Sequence, residues 1–296
     1  MTADNTIDDA IDTTADNTIA FQGEHGANSD LACREALPSM KTMGCYSFED
    51  AFSAVRGGKA RLAMIPIDNS VAGRVADIHH LLPDSQLKII GEHYQRVDHT
   101  LLACPGTGIG ELTHVHSHVH ALNQCRTLLK DLGVQPVVHA DTAGAAHMIR
   151  DLKDPSQGAI ASPLAGEIYE LDVLKSNIED AEHNTTRFLI MSAEPQKIRS
   201  ERTNGKIITS FVFRVKNIPA ALYKALGGFA TNGINMTKLE SYIVGGSFHA
   251  AQFYAEVEGD PDDRPMALAF DELKHFTHEI KIMGSYPAAL ARDKIG

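Results

Sequence analysis

The chain has 296 residues and a mass of 32.1 kDa, which is long enough for two domains that each have a core. Its formal net charge of −11 argues against nucleic acid or an anionic membrane as a partner, and any anionic ligand must be held by local donors. The four cysteines lack metal-like spacing, and there is no secretory signal and no apolar run of about 18 residues. These features predict reduced thiols in a cytoplasmic protein.

The first 17 residues form a separate segment. They contain five aspartates and no basic residue, and the hexapeptide at 2–7 recurs at 14–19. Such a composition predicts a disordered acidic tail. The tail is too short for an additional helical catalytic domain, so we expect a monofunctional chain.

From residue 18 onward, strand and helix patterns alternate. Short apolar runs predict strands at 18–21, 60–67, 87–90, 99–103, 134–139 and 158–161. Capping residues and terminal glycines predict helices at 29–37, 47–57, 75–82, 121–132, 144–152 and 163–171. This alternation predicts sheets that are covered on both faces, with ligand-binding groups at the C-terminal ends of strands.

A different pattern follows a polar linker at 194–205. Strands are predicted at 207–215, 234–244, 248–257 and 280–283, and helices at 219–231 and 266–276. The order of these elements is βαββαβ.

A glycine-bearing loop at 21–29 connects the first strand and helix. Its backbone N–H groups and the Ser29 hydroxyl, at a helix N-terminus, suit a carboxylate ligand. A tight turn with an ordinary N-cap would explain the same residues. The loop lacks the third glycine of the GxGxxG fingerprint, so a dinucleotide site is not expected.

Polar residues also end two other predicted elements. Asp68, Asn69 and Ser70 follow the apolar run at 60–67, and Thr142 precedes a helix rich in small residues that permit close approach to a ligand. A binding site requires such clusters, whereas a turn only tolerates them.

Histidines alternate with other residues at His114, His116, His118 and His120. An extended segment would place the four imidazoles on one face, as in a metal site. A helix that begins near His118 would break this alternation, so we expect no metal here. In this region Ser117 and Gln124 are better candidates for site residues than the histidines.

The segment 184–188 precedes an apolar strand pattern. It supplies a hydroxyl from Thr186, a guanidinium from Arg187 and a ring from Phe188, which could serve as a donor, a carboxylate partner and a barrier to water. Alone, a hydroxyl at a strand start is more simply explained by a backbone hydrogen bond.

In order and spacing these motifs resemble those of the prephenate dehydratases over about residues 18–287. The motifs are the loop that ends in Ser29, the segments 66–70 with Gly73, 117–118 with 124–125, Thr142 with 145–146, and 185–188. The C-terminal part is similar to the ACT domain that follows the catalytic region in this family, with motifs at 219–222 and 237–241.

The resemblance implies an α/β fold with a two-lobed catalytic region, similar to a periplasmic binding protein, plus a βαββαβ (ferredoxin-like) ACT domain. The expected division is a tail at 1–17, a catalytic domain at 18–193, a linker at 194–205, an ACT domain at 206–287 and a C-terminal tail at 288–296. Lobe one would comprise 18–96 and 182–193, and lobe two 97–181, with the site in the cleft.

The implied reaction converts prephenate to phenylpyruvate, water and carbon dioxide in L-phenylalanine biosynthesis, without a cofactor or a metal. Aromatisation drives this hydro-lyase reaction, so the site needs mainly a donor to the departing hydroxyl and a dry pocket. The resemblance implies Thr186, Asn69 and Gln124 as catalytic residues, with Thr186 bonded to the leaving hydroxyl. The implied substrate-binding residues are Ser29, Asp68, Ser70, Ser117, Thr142, Arg187 and Phe188. Arg187 would bind the pyruvyl carboxylate or support the cleft.

The resemblance also implies feedback inhibition by phenylalanine, bound between ACT domains of a homodimer or homotetramer. The implied effector-binding residues are Pro219, Ala220, Ala221, Leu222, Asn235, Glu240 and Ser241.

The sequence departs from the family pattern at four places. Asp68 replaces a glutamate, Val119 a proline and Ala220 a glycine. Tyr242-Ile243 replaces an Arg-Pro pair, which concerns details of effector binding.

Two alternatives stay open. An arogenate dehydratase would perform the same chemistry on the amino-acid analogue. A non-catalytic sensor would combine a binding cleft with an ACT module, although the presence of Thr186 and Asn69 favours an enzyme.

Overall fold

A computed structural model of the chain describes residues 17–181, 183–195, 206–243 and 251–295. The predicted acidic tail, apart from Asn17, and most of the predicted linker lie outside the described residues. The chain forms two compact units. The N-terminal unit comprises residues up to 75 and 93–188, and the C-terminal unit comprises 76–92 and residues from 189 onward.

Fifteen strands occur in the described part of the chain. They are β1 (Thr18–Gln22), β2 (Lys41–Cys45), β3 (Leu62–Asn69), β4 (Gly73–Arg74), β5 (Lys88–Arg96), β6 (Thr100–Ala103), β7 (His114–Ser117), β8 (Gln135–Val138), β9 (Gln157–Ala161), β10 (Asp172–Lys175), β11 (Thr185–Ser192), β12 (Ile207–Val215), β13 (Met236–Ile243), β14 (Ala251–Glu258) and β15 (Thr277–Pro287).

Ten α-helices occur within the same described ranges, nine between these strands and one after the last. They are α1 (Asn28–Ala36), α2 (Phe48–Arg56), α3 (Ala76–Leu81), α4 (Val119–Gln124), α5 (Arg126–Leu132), α6 (Thr142–Leu152), α7 (Pro163–Ile168), α8 (Ala221–Thr231), α9 (Arg264–Phe276) and α10 (Arg292–Ile295). Short 3-10 helices occur at Leu82–Asp84 and Ile109–Glu111.

The first sheet has the strand order β2-β1-β3-β11-β5, and β4 pairs with the end of β3. Strand β1 is parallel to both β2 and β3. Ile19, Ala20 and Phe21 are fully buried, as expected for a parallel strand covered on both faces. The C-terminal ends of β3 and β1 therefore present Asn69 and the glycine loop at one edge of this sheet.

The second sheet has the order β10-β6-β9-β7-β8. Strand β7 runs parallel to β8 and β9, whereas β6 is antiparallel to β9 and β10. Its core contains Leu101, Val115, Leu129 and Ile160, and α5 contributes one of these side chains.

The third sheet is antiparallel throughout, with the order β13-β14-β12-β15. Its elements follow the predicted βαββαβ order, so this prediction is confirmed. The core is aromatic: the rings of Phe229 and Phe270 lie 5.6 and 5.0 Å from that of Phe211.

The segment 76–92 packs with the third sheet inside the C-terminal unit. The His79 ring lies edge-on to Tyr254 at 5.4 Å, and Ala289 N donates to Glu92 Oε1 at 3.0 Å. A Cβ at Gly284 would overlap the carbonyl oxygen of Ile89, so glycine is required there. The predicted domain boundaries, which give this segment to lobe one, remain predictions.

The helix predicted at 121–132 is interrupted and is in fact α4 and α5. Cys125 leaves the helical conformation at φ −125° and ψ 29°. The Asp180 carboxylate accepts from Arg126 N at 3.0 Å and from Thr127 N at 3.3 Å, which caps a new helix. Gly133 ends α5 in the left-handed conformation, as predicted.

Four strands, β2, β4, β7 and β10, were not predicted because their sequences lack an apolar run. Strands β5 and β15 are longer than predicted, and α7 ends at Ile168 rather than at 171. Helix α8 begins at Ala221 rather than at 219, because Ala220 is left-handed with φ +57°. Part of the strand predicted at 248–257 lies outside the described residues.

Candidate active site

Thr186 and Asn69 meet where β11 begins and β3 ends. Asn69 Nδ2 donates to Thr186 Oγ1 at 2.9 Å and to Asn184 Oδ1 at 2.8 Å. Asn69 Oδ1 accepts from the backbone N–H groups of Val71 at 3.0 Å and Ala72 at 2.7 Å. Because Thr186 Oγ1 accepts from Asn69, the threonine hydroxyl proton points elsewhere.

Gln124 extends this arrangement to α4. Its Oε1 atom accepts from Asn184 Nδ2 at 2.8 Å and lies 2.8 Å from His99 Nε2. We call the resulting set the amide network; its members are Thr186, Asn69, Asn184, Gln124 and His99. The network brings together the three predicted catalytic residues.

His99 is only 3% exposed. Burial lowers the pKa of its imidazole, although the Gln124 hydrogen bond and the nearby Glu179 and Asp98 carboxylates oppose this effect. The ring is therefore neutral at pH 7. Since Gln124 Oε1 can only accept, His99 carries its proton on Nε2, and Nδ1 has no hydrogen-bond partner among the described residues.

Ser70 holds the start of β11 against the end of β3. Its hydroxyl donates to the His183 carbonyl at 2.6 Å and accepts from Thr185 N at 2.9 Å. Ser70 N in turn donates to the Thr185 carbonyl at 2.9 Å. These three bonds fix the backbone one residue before Thr186.

Arg187 pairs with Asp68 in a largely buried position. Arg187 Nη1 lies 3.6 Å from Asp68 Oδ2, and the guanidinium carbon lies 5.9 Å from the centre of the Tyr94 ring. Arg187 is 6% exposed and Phe188 is 1% exposed. Asp68 therefore reaches the guanidinium, although its side chain is shorter than that of the glutamate expected at this position. Phe188 lies in the core rather than in the amide network.

The glycine loop contacts Ser162 and Tyr169, which flank α7, through its backbone carbonyls. The Ser162 hydroxyl donates to the Gly26 carbonyl at 2.5 Å, and the Tyr169 hydroxyl donates to the His25 carbonyl at 2.9 Å. Gly26 has φ +89°, and a Cβ there would lie 2.8 Å from Ala165 Cα. Glycine is required at 26 both by conformation and by this approach.

A second set of polar contacts surrounds Glu24 in the same loop. Glu24 Oε2 lies 2.9 Å from His147 Nδ1 and 3.3 Å from the Tyr169 hydroxyl. The His147 and Tyr169 rings stack at 4.9 Å, and burial, followed by Glu24, raises the pKa of Tyr169 to about 12. Tyr169 is therefore a neutral donor at pH 7.

Asp30 stabilises the loop from inside α1. Its buried carboxylate accepts from Gly26 N at 2.9 Å and from Arg34 Nε at 3.0 Å. Burial raises the pKa of Asp30, but hydrogen bonds from Arg34, Gly26 and Thr42 outweigh this effect and lower it overall. The N-cap of α1 is Ala27, not Ser29, which lies in the first turn.

Ser117 and Thr142 are not part of the amide network. The fully buried Ser117 hydroxyl donates to the Ile160 carbonyl at 2.6 Å. Thr142 is the first residue of α6, whose N-cap Asp141 accepts from Gly144 N at 2.6 Å.

The four alternating histidines have separate surroundings. His116 Nε2 lies 2.7 Å from Gln157 Oε1, whereas the His118 and His120 rings face each other at 5.1 Å. Within the described ranges, no group of three or more His, Cys, Asp or Glu residues could hold a metal ion.

All four cysteines are free thiols. Burial is the main cause that raises the pKa of each thiol, so none is an activated nucleophile at pH 7. Of the helices that the structure describes, none is long and apolar enough to cross a membrane.

The predicted effector residues lie at the start of α8 and on or before β13. Pro219 and Ala220 are exposed, and Ala221 is buried as the first residue of the helix. Asn235 Nδ2 donates to Glu258 Oε2 at 3.0 Å, and Glu240 Oε1 lies 3.6 Å from Lys238 Nζ.

Tyr242 stands where the resemblance implies an arginine, and it is 6% exposed. Its ring contacts those of His79 and His80 at 6.1 and 5.2 Å, and its hydroxyl accepts from Gln252 Nε2 at 2.8 Å. The substitution therefore contributes packing against the segment 76–92.

His99 and Asn184 were not among the predicted site residues. Asn184 lies in the segment 184–188, for which roles were predicted only at Thr186, Arg187 and Phe188. Nothing in the sequence around His99 indicates that its ring reaches Gln124, which is 25 residues away.

Comparison with known proteins identifies the family of the chain. The family model described as prephenate dehydratase matches residues 19–196. A bifunctional N-acyl-homoserine lactone acylase/prephenate dehydratase from Komagataeibacter europaeus is 50% identical, over 93% of this chain and 98% of the relative. Arogenate dehydratase/prephenate dehydratase 1 from Arabidopsis thaliana is 38% identical, over 93% of this chain and 73% of the relative.

A solved prephenate dehydratase from Arthrobacter aurescens, in complex with L-Phe, has a TM-score of 0.83 and 28% identity, over 91% of this chain and 90% of that one. The predicted fold class, a two-lobed periplasmic-binding-protein-like region plus an ACT-like βαββαβ sheet, is confirmed. The chain belongs to the prephenate dehydratase family.

Proposed function

We propose that the chain converts prephenate to phenylpyruvate, water and carbon dioxide. In this reaction the C–O bond to the ring hydroxyl and the C–C bond to the ring carboxylate both break. The electron pair of the C–C bond enters the ring, and the departing hydroxide gains a proton to become water. The protein must therefore place a donor at the departing oxygen and hold the substrate rigidly.

The observation that carries the proposal is the hydrogen bond from Asn69 Nδ2 to Thr186 Oγ1. It occupies an acceptor position of the threonine oxygen, so the Thr186 proton can be donated to the leaving hydroxyl. Hydrogen bonds in such a chain polarise one another, which makes the Thr186 hydroxyl a better donor than an isolated one. Threonine remains a weak acid, so it acts by hydrogen bonding to the developing hydroxide.

Arg187 supports the site in this proposal. Its guanidinium is buried and paired with Asp68 3.6 Å away, so it contributes cleft structure rather than a contact with the pyruvyl carboxylate. The neutral donors of the amide network suit a ring carboxylate whose charge disappears during the reaction.

The test is an assay of the purified full-length protein with prephenate, in which phenylpyruvate is followed by its ultraviolet absorbance in alkali. We expect turnover without added metal. The absence of product at any enzyme concentration, with a correctly folded protein, would exclude the proposed reaction.

Arogenate is an alternative substrate, because the chain is 38% identical to a relative named arogenate dehydratase/prephenate dehydratase. Prephenate and arogenate differ only where the former has a keto acid and the latter an amino acid. A parallel assay decides between them through the ratio of the two kcat/KM values.

A second candidate activity is hydrolysis of the amide bond of N-acyl-homoserine lactones to a fatty acid and homoserine lactone. It is favoured by 50% identity to a relative named for both activities, over 98% of that relative. The expectation of a monofunctional chain is therefore open. Release of homoserine lactone by the wild type tests whether this activity exists. The same assay of a Thr186→Val variant tests whether the activity uses the site of Thr186.

We also propose that L-phenylalanine regulates the enzyme through the C-terminal unit of a homodimer or homotetramer in the cytoplasm. Support comes from the βαββαβ sheet and from the L-Phe complex of the Arthrobacter aurescens protein. The exposed turn at Pro219 and Ala220, next to the N-terminus of α8, would receive the effector's charged end. Two measurements on the full-length protein, with and without phenylalanine, test the regulation: the dehydratase activity and the mass from light scattering. Unchanged activity up to the solubility limit of phenylalanine would exclude regulation.

A further inference from the structure

The hydrogen bonds between the three amide side chains of the amide network run in one donor-to-acceptor direction, which backbone N–H groups determine. Asn69 Oδ1 accepts from two backbone N–H groups, those of Val71 and Ala72, so this atom is the amide oxygen. Asn69 Nδ2 must then donate, and its acceptor Asn184 Oδ1 is fixed as an oxygen. Asn184 Nδ2 donates in turn to Gln124 Oε1 at 2.8 Å.

His99 adds a second donor to the end of this chain. Its Nε2 atom lies 2.8 Å from Gln124 Oε1, which already accepts from Asn184. Two donors on one oxygen fix the amide plane of Gln124 and prevent a flip, because a flipped amide would place its NH2 group against both donors. The Gln124 Nε2 atom therefore faces away from His99 and Asn184.

The Gln124 NH2 group is available to a ligand. Gln124 is partly exposed, and no residue that the structure describes accepts a hydrogen bond from its Nε2 atom. The group belongs to the same network as the Thr186 hydroxyl. Its orientation depends on His99 as much as on Asn184.

We infer that His99 is a positioning residue, whose Nε2–H fixes the Gln124 amide so that Gln124 donates its NH2 group to a substrate oxygen in the site of Thr186. This inference rests on the proposed dehydratase function, since it assigns the role within that site. His99 does not touch the substrate; it acts through Gln124.

The surroundings of His99 suit this role. Its backbone N–H donates to Glu179 Oε2 at 3.0 Å, and its carbonyl accepts from Ile178 N at 3.1 Å, so the backbone is held on both sides. The ring is buried, and its neutral state provides one N–H group, which is the one Gln124 requires. A protonated ring would place a second N–H group at the buried Nδ1 position, which has no acceptor among the described residues.

His93 provides a matched control. It is a partly buried histidine whose pKa is likewise lowered chiefly by burial, and its Nε2 atom lies 3.2 Å from a glutamine oxygen, Gln95 Oε1. The glutamine there contacts Glu35 instead of the amide network. Loss of the His93 ring thus removes a similar hydrogen bond at a different place.

The experiment compares kcat and KM for prephenate in full-length His99→Leu, His99→Gln and His93→Leu variants. A glutamine at 99 keeps an N–H donor near the position of histidine Nε2. We expect His99→Leu to lower kcat about 10- to 100-fold, as for loss of an aligned transition-state donor. His99→Gln should recover kcat to within about 3-fold of the wild type, and His93→Leu should leave kcat unchanged.

Two further measurements separate positioning from folding. Nitrogen-15 NMR of the wild type should show the Nε2–H tautomer for His99. Gln124→Glu retains both accepted hydrogen bonds but lacks the NH2 group. The Gln124→Glu/His99→Leu double variant should therefore lose less kcat than the product of the losses in the two single variants.

The outcomes distinguish this inference from the proposed function. An Nδ1–H tautomer, or equal kcat values for His99→Leu and His93→Leu with an active wild type, would overturn the inference and leave the dehydratase function intact. A folded wild type that is inactive on prephenate and arogenate would overturn the function, and the inference with it.

Discussion

Arg292 Nη2 lies 2.5 Å from Glu256 Oε2 in the C-terminal unit. The same guanidinium places Nε 3.3 Å from Glu92 Oε1, and both carboxylate side chains are fully buried. Buried carboxylates are costly without a cation, so Arg292 neutralises charge from β14 and from the end of the segment 76–92. The residues predicted as a C-terminal tail at 288–296 therefore include one that stabilises the fold.

Replacement of Arg292 by alanine should strongly destabilise the C-terminal unit, because it leaves two buried carboxylates without their cation. We expect a loss of about 3–5 kcal/mol in the free energy of unfolding, measured by urea denaturation at pH 7.5. Arg292→Lys should retain part of this free energy.

Arg214 gives the control for this prediction. It is about two-fifths exposed and pairs with Glu279 at 3.6 Å, so Arg214→Ala should cost less than about 1 kcal/mol. Equal losses for the Arg292 and Arg214 variants would show that the buried carboxylates are stabilised by other groups.

Thr186→Val removes the hydroxyl while it keeps the shape of the side chain. We expect kcat for prephenate to fall about 10²- to 10³-fold, because the donor to the leaving hydroxyl is lost, with little change in thermal stability. Thr186→Ser, which keeps the hydroxyl, should retain more activity. Thr185→Val is the control, because Thr185 contacts Ser70 through its backbone; a similar loss there would argue against a specific role of Thr186.

Ala220 has a left-handed backbone, with φ +57°, where the family pattern has glycine. Ala220→Gly should therefore stabilise the C-terminal unit by about 0.5–1 kcal/mol, since relief of strain exceeds the entropy that glycine adds to the unfolded chain. In contrast, Ala230→Gly within α8 should destabilise it by about 1 kcal/mol. A calorimetric comparison of the two variants decides; destabilisation by both would mean that Ala220 is not strained.

The pH dependence of stability should reflect His93 and His99. Burial lowers the pKa of His93 and of His99 below the value of 6.5 that applies to the unfolded chain. Below pH 6.5 the unfolded state thus binds more protons than the native state, so stability is fully present above this pH and is lost as the pH falls through the native pKa values.

Urea denaturation between pH 8 and pH 5 measures this effect. We expect the free energy of unfolding to decrease below about pH 6.5, and to decrease less in a His93→Leu/His99→Gln variant. An identical slope in both proteins would assign the pH dependence to other groups.

Much of the fold could be predicted because local patterns coincide with tertiary structure. The apolar run of β1 and the Gly133 stop of α5 are properties of neighbouring residues. The break at Cys125 could not be predicted, since the cap that starts α5 comes from Asp180, 54 residues later. The amide network shows the same limit: Asn69 and Thr186 belong to motifs, whereas His99 reaches Gln124 only in the folded chain.

The contact between Gly26 and Ala165 has a consequence for protein engineering. A Cβ at Gly26 would lie 3.0 Å from the Ala165 Cβ, so neither position can accept a larger side chain unless the glycine loop moves away from α7. In a chimaera that takes residues 18–96 from one homologue and 97–181 from another, the two positions come from different parents. Parents with a glycine and a residue no larger than alanine at these positions should preserve this contact, whereas a mismatched pair should force the glycine loop away from α7.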